Sequence, residues 1–172
     1  IERISGRFEV VAREPLTIVD YAHTPDALSR TLSQARDLAK DGDGKVGRLI
    51  CVFGCGGDKD PTKRGPMGKI AGEIADTVIV TTDNPRTESP QSIANAILAG
   101  AHLTSARVIE EADRRHAIEI AMNIAAPLDV IVIAGKGHEA TQDIGALSLA
   151  FSDREVARQA FASRSTDKKE MT

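Results

Sequence analysis

Cysteine is scarce in this 172-residue sequence, which contains only Cys51 and Cys55. Both lie in or just after one predicted strand, too close along an extended segment for an easy disulfide. No second pair is present to complete a zinc site of four ligands. We therefore expect two reduced thiols, as in a cytosolic protein.

Long apolar runs and blocks of like charge are also missing. No run approaches the roughly 20 residues of a membrane-spanning helix, and no basic-then-apolar leader opens the chain. Acids and bases are mixed throughout, and the formal net charge is -3. These patterns argue against nucleic-acid and membrane partners and leave small charged ligands. Because the sequence begins at Ile1 rather than methionine, we expect an excised domain.

The residues that are present indicate one α/β domain. With 41% hydrophobic and 27% charged residues, the chain can bury a single core. Short apolar runs predict strands at 8–11, 16–19, 49–53, 77–82, 107–109 and 130–134. Helices are predicted between them, with side-chain caps at Thr24, Ser89, Asp113 and Ser152.

This alternation predicts a Rossmann-like, doubly wound α/β fold. Right-handed crossovers should give a mainly parallel sheet of about six strands, with helices on both faces. We assign residues 1–163 to this single domain and residues 164–172 to a polar tail.

Polar clusters follow four of the predicted strands, at residues 20–26, 54–60, 83–86 and 135–139. Ligands of doubly wound domains bind in the crevice beyond the carboxyl ends of the strands. The four clusters therefore predict one shared site.

Each cluster also has a plainer explanation when it is taken alone. The glycines at 54–57 and 135–137 could simply turn the chain. The first run lacks the Gly-Lys-Ser/Thr ending of a nucleotide P-loop, and Lys59 stands where a dinucleotide fingerprint needs its third glycine. His23 could be a helix-start residue, and Lys63 and Arg64 could form an exposed face or bind phosphate or carboxylate groups.

The sequence resembles the C-terminal domain of the Mur ligases in five motifs that follow one another in order. They are Gly6-Arg-Phe-Glu9, Asp20-Tyr-Ala-His-Thr-Pro-Asp26, Val52-Phe-Gly-Cys-Gly-Gly-Asp58, Asp83-Asn-Pro-Arg86 and Ala134-Gly-Lys-Gly-His-Glu139. The resemblance covers residues 5 to about 162. Within the family it is similar to the tripeptide-forming ligases of peptidoglycan synthesis.

The resemblance implies one domain of a monomeric, cytoplasmic, three-domain ligase. Such an enzyme uses ATP and Mg²⁺, both bound mainly by a central domain, to add meso-diaminopimelate to UDP-N-acetylmuramoyl-L-alanyl-D-glutamate. The implied partners are these small molecules and the N-terminal and central domains. Because the sequence contains no P-loop, we expect the isolated domain to be inactive.

The resemblance also assigns residues to two ligands and implies neither a catalytic side chain nor a metal ligand here. The nucleotide would be approached by Arg7, Asp20 and His23. The amino acid would be recognised by Lys59, Asp83, Asn84, Pro85, Arg86, Gly135 and Glu139.

The chemistry of the second group suits a ligand that carries both charges at its far end. Arg86 and Asn84 can donate to a carboxylate, while Asp83, Glu139 and the carbonyl of Gly135 can accept from an ammonium. Pro85 should stiffen the turn that aims the guanidinium. Meso-diaminopimelate has such an end, whereas L-lysine and L-ornithine end in a bare ammonium.

Lys59 leaves the choice of amino acid open. Diaminopimelate-adding relatives commonly have an arginine at this position, and lysine keeps the charge but loses the bidentate fork. L-Lysine and L-ornithine therefore remain alternatives to diaminopimelate. A non-catalytic nucleotide or amino-acid binding module also remains possible, whereas the incomplete fingerprint disfavours a dinucleotide-dependent oxidoreductase.

Overall fold

The computed structural model describes residues 6–40 and 42–170 of the chain. The strands are β1 Glu9–Arg13, β2 Leu16–Asp20, β3 Leu49–Phe53, β4 Thr77–Val80, β5 Arg107–Glu110, β6 Val130–Ala134, β7 Thr141–Ile144 and β8 Leu147–Ala150. The helices are α1 Pro25–Leu38, α2 Arg64–Ile74, α3 Pro90–Ala101, α4 Arg114–Ile124 and α5 Asp153–Glu170, and a short 3-10 helix spans Pro61–Lys63. No helix within these residues is long and apolar enough to cross a membrane.

Six strands form one sheet in the order β1-β2-β6-β3-β4-β5. All neighbours from β2 to β5 are parallel, and β1 pairs with β2 in the antiparallel direction at one edge. Helices pack on both faces of this sheet. The predicted doubly wound fold with about six strands is therefore confirmed.

Two apolar layers hold the helices against the sheet, because alternate side chains of a strand point to opposite faces. One layer packs under α1, α2 and α3 and includes Ile18, Cys51, Val78 and Val132. The other packs under α4 and α5 and includes Val19, Val52, Ile79 and Ile133. Strands β3 and β6 are buried along their whole length, which explains their uninterrupted apolar sequences.

Neither cysteine forms a disulfide, as predicted, and both are buried. Burial raises the pKa of Cys51 to about 12 and that of Cys55 to about 11. Both residues therefore remain protonated thiols at neutral pH.

Four helices begin with the side-chain caps that the sequence predicts. In each case the side-chain oxygen accepts a backbone N–H three residues later, at 3.0 to 3.4 Å, and the capping residues are Thr24, Ser89, Asp113 and Ser152. A capped start satisfies one of the free N–H groups of the first turn. The caps thus fix where each helix begins after its strand-end loop.

The sequence pattern does not predict the separate antiparallel hairpin of β7 and β8. Strand β8 is exposed along its whole length, so it lacks the alternation of buried and exposed residues that identifies a strand. The hairpin contributes to the candidate site because Ile144 forms a parallel bridge with Arg86.

The last helix does not end at the domain boundary predicted after Ser163, but continues through Glu170. The guanidinium of Arg164 donates to the carbonyl oxygens of Met122 and Ala125, at 2.8 and 2.5 Å. These carbonyls lie at the carboxyl end of α4, where helix carbonyls need outside partners. These two bonds tie α5 to α4 beyond the predicted boundary. Residues 171 and 172 of the predicted tail lie outside the described residues.

The contact between α2 and α3 depends on one glycine more than on its neighbour in the same helix. A Cβ on Gly68 would clash with the carbonyl oxygen of Ile97 and lie 3.0 Å from the backbone nitrogen of Ala101. A Cβ on Gly65 would meet nothing nearer than the carbonyl oxygen of Ala96 at 3.6 Å, an ordinary contact distance. Of these two glycines in α2, Gly68 is therefore the one that the close approach of the helices requires.

We expect Gly68→Ala to lower the free energy of unfolding by about 1 to 3 kcal/mol, because the added methyl group forces α3 away from α2. Gly65→Ala is the matched control and should be neutral or stabilising by up to about 1 kcal/mol, since alanine favours the helix. Urea denaturation of both variants measures the difference. Equal effects of the two substitutions would contradict this packing explanation.

Candidate functional site

A cleft of about 480 Å³ opens at the edge of the sheet where β2, β3, β4 and β6 end. Residues from all four predicted strand-end clusters line it: Tyr21, His23, Thr24, Gly56, Lys59, Asp60, Asp83, Asn84, Arg86, Gly135 and Glu139, together with Lys63. Three of the lining side chains are cationic and three are anionic: Lys59, Lys63, Arg86, Asp60, Asp83 and Glu139. The structure thus brings the clusters together into one cleft with charges of both signs.

The backbone of Arg86 is held in a left-handed conformation, with φ of 53°, by the hairpin beside it. Its N–H donates to the carbonyl oxygen of Asp143 at 3.1 Å, and its carbonyl oxygen accepts from the N–H of Gly145 at 2.7 Å. These bonds fix the direction in which the side chain leaves the backbone.

The guanidinium of Arg86 is held on the cleft wall by a backbone carbonyl oxygen rather than by an ion pair. Its Nη1 donates to the carbonyl oxygen of Gly57 at 2.8 Å. Within residues 6–40 and 42–170, no carboxylate lies at ion-pair distance from this guanidinium. A fixed cation of this kind is suited to a carboxylate from outside the domain.

The glycine loop and the Asp83–Arg86 loop are joined to each other by a second set of bonds. The N–H of Gly57 donates to the carbonyl oxygen of Asn84 at 2.8 Å. Glu88 accepts from the backbone N–H of Asp58 at 2.8 Å and pairs with both Nη atoms of Arg64 at 2.9 and 3.0 Å. The two loops therefore form one connected unit.

This network decides between the alternatives for the two basic residues that follow the glycine loop. Arg64 is buried and paired with Glu88, so it is neither part of an exposed face nor available to a ligand. Lys63 lines the cleft, and its Nζ donates to the carbonyl oxygen of His23 at 2.7 Å. Of these two residues, only Lys63 lines the cleft.

The acceptor side of the cleft is formed by Asp83, Gly135 and Glu139. Asp83 is buried, and burial raises the pKa of its carboxyl group although Arg114 and Lys136 oppose that change. Gly135 has φ of 112°, and a Cβ there would lie 2.6 Å from Asp83 Oδ2. Glycine therefore allows the backbone to pass close to the carboxylate.

Behind the cleft, Arg114 and Asp153 form an ion pair in which both side chains are fully buried. Two bonds of 2.7 and 2.8 Å make the contact bidentate, and Arg114 Nη2 also donates to the carbonyl oxygen of Ala134 at 3.0 Å. Burial lowers the pKa of Arg114, but the carboxylate of Asp153 outweighs that effect and the net direction is upward. The pair anchors the starts of α4 and α5 to the end of β6.

The residues predicted to approach a nucleotide line a neighbouring cleft of about 320 Å³ that includes Arg7, Asp20 and His23. The guanidinium of Arg7 lies 5.8 Å from the centre of the Tyr21 ring, a cation–π distance. The rings of Tyr21 and His23 meet edge to face with their centres 4.6 Å apart. Tyr21 lines both clefts, so the two predicted ligand sites are adjacent.

Asp20 is largely occupied by bonds within the domain. Its carboxylate accepts from the backbone N–H groups of Phe8 and Ala22, both at 2.8 Å, and from Thr31 Oγ1 at 3.1 Å. The bond to Phe8 holds the segment that carries Arg7. Asp20 therefore positions this cleft as well as lining it.

Of the residues predicted to bind the amino acid, only Pro85 does not line the cleft. Its carbonyl oxygen accepts from the N–H of Glu88 within the turn.

The sequence reasoning missed Lys136 and Glu88, which hold the site together. A lysine between two glycines after a wholly apolar strand is a signal for the first. Glu88 carries no comparable signal.

Within the described part of the chain, no group of three or more potential metal ligands comes together.

Comparison with known proteins supports the similarity that the motifs suggest. The chain is 50% identical over 165 residues to UDP-N-acetylmuramoyl-L-alanyl-D-glutamate--2,6-diaminopimelate ligase of Thermosynechococcus vestitus, covering 94% of this chain and 32% of the relative. It is 49% identical over 162 residues to the ligase of the same name from Chromobacterium violaceum, covering 93% and 32%. The chain thus spans about a third of the length of these relatives.

A solved structure of a ligase with this name has a similar fold. It matches with a TM-score of 0.84 and 38% sequence identity, covering 96% of this chain and 33% of the other. The family model described as "Mur ligase, glutamate ligase domain" matches residues 6–137. The chain therefore belongs to the Mur ligase family, in which it corresponds to the C-terminal domain.

Proposed function

We propose that this chain is the amino-acid-binding domain of an ATP-dependent ligase that adds meso-diaminopimelate to UDP-N-acetylmuramoyl-L-alanyl-D-glutamate. The observation that carries the proposal is the guanidinium of Arg86, which is fixed on the cleft wall without a carboxylate partner among the described residues. Two carboxylates, Asp83 and Glu139, line the same cleft. A ligand with a carboxylate and an ammonium on one carbon matches both groups.

Arg86 is the feature that favours diaminopimelate over simpler diamines. The far end of meso-diaminopimelate supplies a carboxylate to this guanidinium, whereas L-lysine and L-ornithine would bring an ammonium close to it. An uncompensated charge in a desolvated site typically costs several kcal/mol, enough for discrimination on the order of a thousandfold. Lys59 lines the cleft and adds a second positive charge for the carboxylate, although without a bidentate fork.

ATP is proposed to contact the neighbouring cleft. Arg7 can neutralise phosphate, and the exposed His23 and the Tyr21 ring provide polar and aromatic surface beside it. Asp20 holds the segment that carries Arg7, because its carboxylate accepts from the backbone N–H of Phe8. The rest of the ATP site and the Mg²⁺ ion would belong to a central domain outside this sequence.

The reaction proposed for the whole ligase has two steps. The terminal carboxylate of the UDP-sugar dipeptide attacks the γ-phosphorus of ATP, which forms an acyl phosphate and releases ADP. The amine of the amino acid then attacks the acyl carbon, so that an amide forms, phosphate leaves and the amine loses a proton. In this scheme the present domain orients the amino acid and closes over ATP, in a monomeric cytoplasmic enzyme.

We expect the full-length ligase to release phosphate with meso-diaminopimelate at a kcat/KM at least about a hundredfold above that with L-lysine or L-ornithine, given the charge argument for Arg86. Amino-acid-dependent phosphate release in the presence of ATP and the UDP-sugar dipeptide measures this preference. A preference for L-lysine would overturn the substrate assignment. Absence of release with all three amino acids would favour a non-catalytic binding module.

We expect Arg86→Ala in the same enzyme to raise the KM for meso-diaminopimelate on the order of a hundredfold, because the carboxylate loses its fixed cation. The KM for ATP should stay within about twofold of the wild-type value. Arg115→Ala is the matched control, since Arg115 is exposed and donates to Gln159 away from the cleft. An unchanged KM for the amino acid would remove Arg86 from the proposed pocket.

We expect Asp20→Asn to raise the KM for ATP about tenfold and to leave the KM for the amino acid nearly unchanged. An amide that keeps one acceptor oxygen for Ala22 and Thr31 turns its NH₂ toward the N–H of Phe8, so the segment that carries Arg7 is released. Arg7→Ala should produce a similar change. Steady-state kinetics with varied ATP test both variants, and an unaltered ATP dependence would refute this role.

A further inference from the structure

We propose that Lys136 is a positioning residue for the amino-acid cleft: its buried ammonium orients the amide of Asn84 and keeps Glu139 and Asp83 as acceptors for the ligand. This inference rests on the proposed function. It concerns a side chain that does not itself line the cleft. The proposal is carried by the contacts of its Nζ atom.

The side chain of Lys136 is completely buried, which is unusual for a lysine. Its Nζ donates to Asn84 Oδ1 at 2.9 Å and to Glu139 Oε2 at 3.0 Å. Asp83 Oδ1 lies 4.0 Å away, which is an ion-pair contact rather than a hydrogen bond. The three contacts join residues from two strand-end loops around one ammonium.

Lys136 determines which way the amide of Asn84 faces. Asn84 Oδ1 accepts from Lys136 Nζ and from the backbone N–H of Asp143 at 3.0 Å. Asn84 Nδ2 donates to Glu139 Oε2 at 3.1 Å. A flipped amide would turn its NH₂ group toward two donors, so the observed orientation is the one that the network allows.

Lys136 also balances the charges of the two carboxylates that are proposed to accept the ligand's ammonium. Burial raises the pKa of Asp83; Arg114 and Lys136 lower it, and Glu139 and Asp153 raise it. Without the Lys136 ammonium, one fewer cation would oppose the effect of burial on Asp83, and protonation of its carboxylate would become easier. A protonated carboxyl group binds an ammonium poorly.

Buried ion pairs contribute little net stability on average, because the desolvation of both charges offsets their attraction. The arrangement around Lys136 is therefore better explained by the cleft that it shapes than by folding alone. Neutral side chains of similar volume in place of this ion pair would fill the same space without the cost of desolvating two charges.

The test is the amino-acid-dependent phosphate release of the full-length ligase with Lys136→Met and Lys136→Gln. We expect Lys136→Met to raise the KM for the amino acid on the order of a hundredfold, with the KM for ATP within about twofold. Lys136→Gln keeps a donor for Asn84 Oδ1 without the charge and should raise the KM about tenfold. Lys69→Met is the control, since Lys69 is exposed and pairs with Glu73 on α2.

The pH dependence of the amino-acid KM separates positioning from simple structural support. The KM should rise as the pH falls, because the carboxylate of Asp83 becomes protonated. The Lys136 ammonium lowers the pKa of Asp83, so without it this rise should begin at a higher pH in both variants than in the wild type. A purely structural residue would leave the position of this limb unchanged.

Three kinetic results would overturn the proposal: an amino-acid KM within twofold of wild type, an equal rise in the KM for ATP, or a pH limb that does not move. If Lys136→Met does not fold, as judged by its thermal melt, Lys136→Gln provides the test. Loss of folding in both variants would assign Lys136 to stability and so overturn the proposal as well. If the wild-type enzyme prefers another amino acid, only the substrate assignment fails, because each variant is then compared with wild type on that amino acid.

Discussion

Parallel hydrogen bonding between β2, β6, β3 and β4 aligns the strand ends from which the cleft is built. In this register Asp20 and Phe53 both lie opposite Ala134, and Val80 lies opposite Phe53. The four strands therefore end at nearly the same level, and the residues that follow them emerge at one edge of the sheet. Without this alignment, loops that are more than a hundred residues apart in the chain could not line one cleft.

Hydrogen bonds between the loops then fix what the strands bring together. Asp58 and Arg86 both have positive φ, at 55° and 53°, and such conformations cost of order 1 kcal/mol or more for residues with a side chain. The surrounding bonds hold them there, because Asp58 binds Thr87 and Arg86 binds Asp143 and Gly57. The guanidinium is thereby aimed before any ligand arrives, which lowers the entropic cost of binding.

Two buried cations connect this edge of the sheet to the core. Lys136 contacts the cleft carboxylates from one side, and Arg114 binds Asp153 and the carbonyl oxygen of Ala134 from behind. Each cation has close partners, so its desolvation is offset by charge-assisted hydrogen bonds. Asp83 lies in the field of both cations. Their charge partly offsets the cost of burying its carboxylate beside the cleft that Arg86 also lines.

The doubly wound fold, the helix caps and the strand-end clusters could be predicted from the sequence, because apolar periodicity and capping residues act over a few neighbouring positions. The sequence also indicated the family through ordered motifs. Three features required the folded molecule: Arg64 is paired with Glu88, α5 continues past Ser163, and Lys136 is buried under the cleft. Those outcomes depend on partners from distant parts of the chain, which become neighbours only when the sheet forms. Local sequence patterns therefore do not identify them.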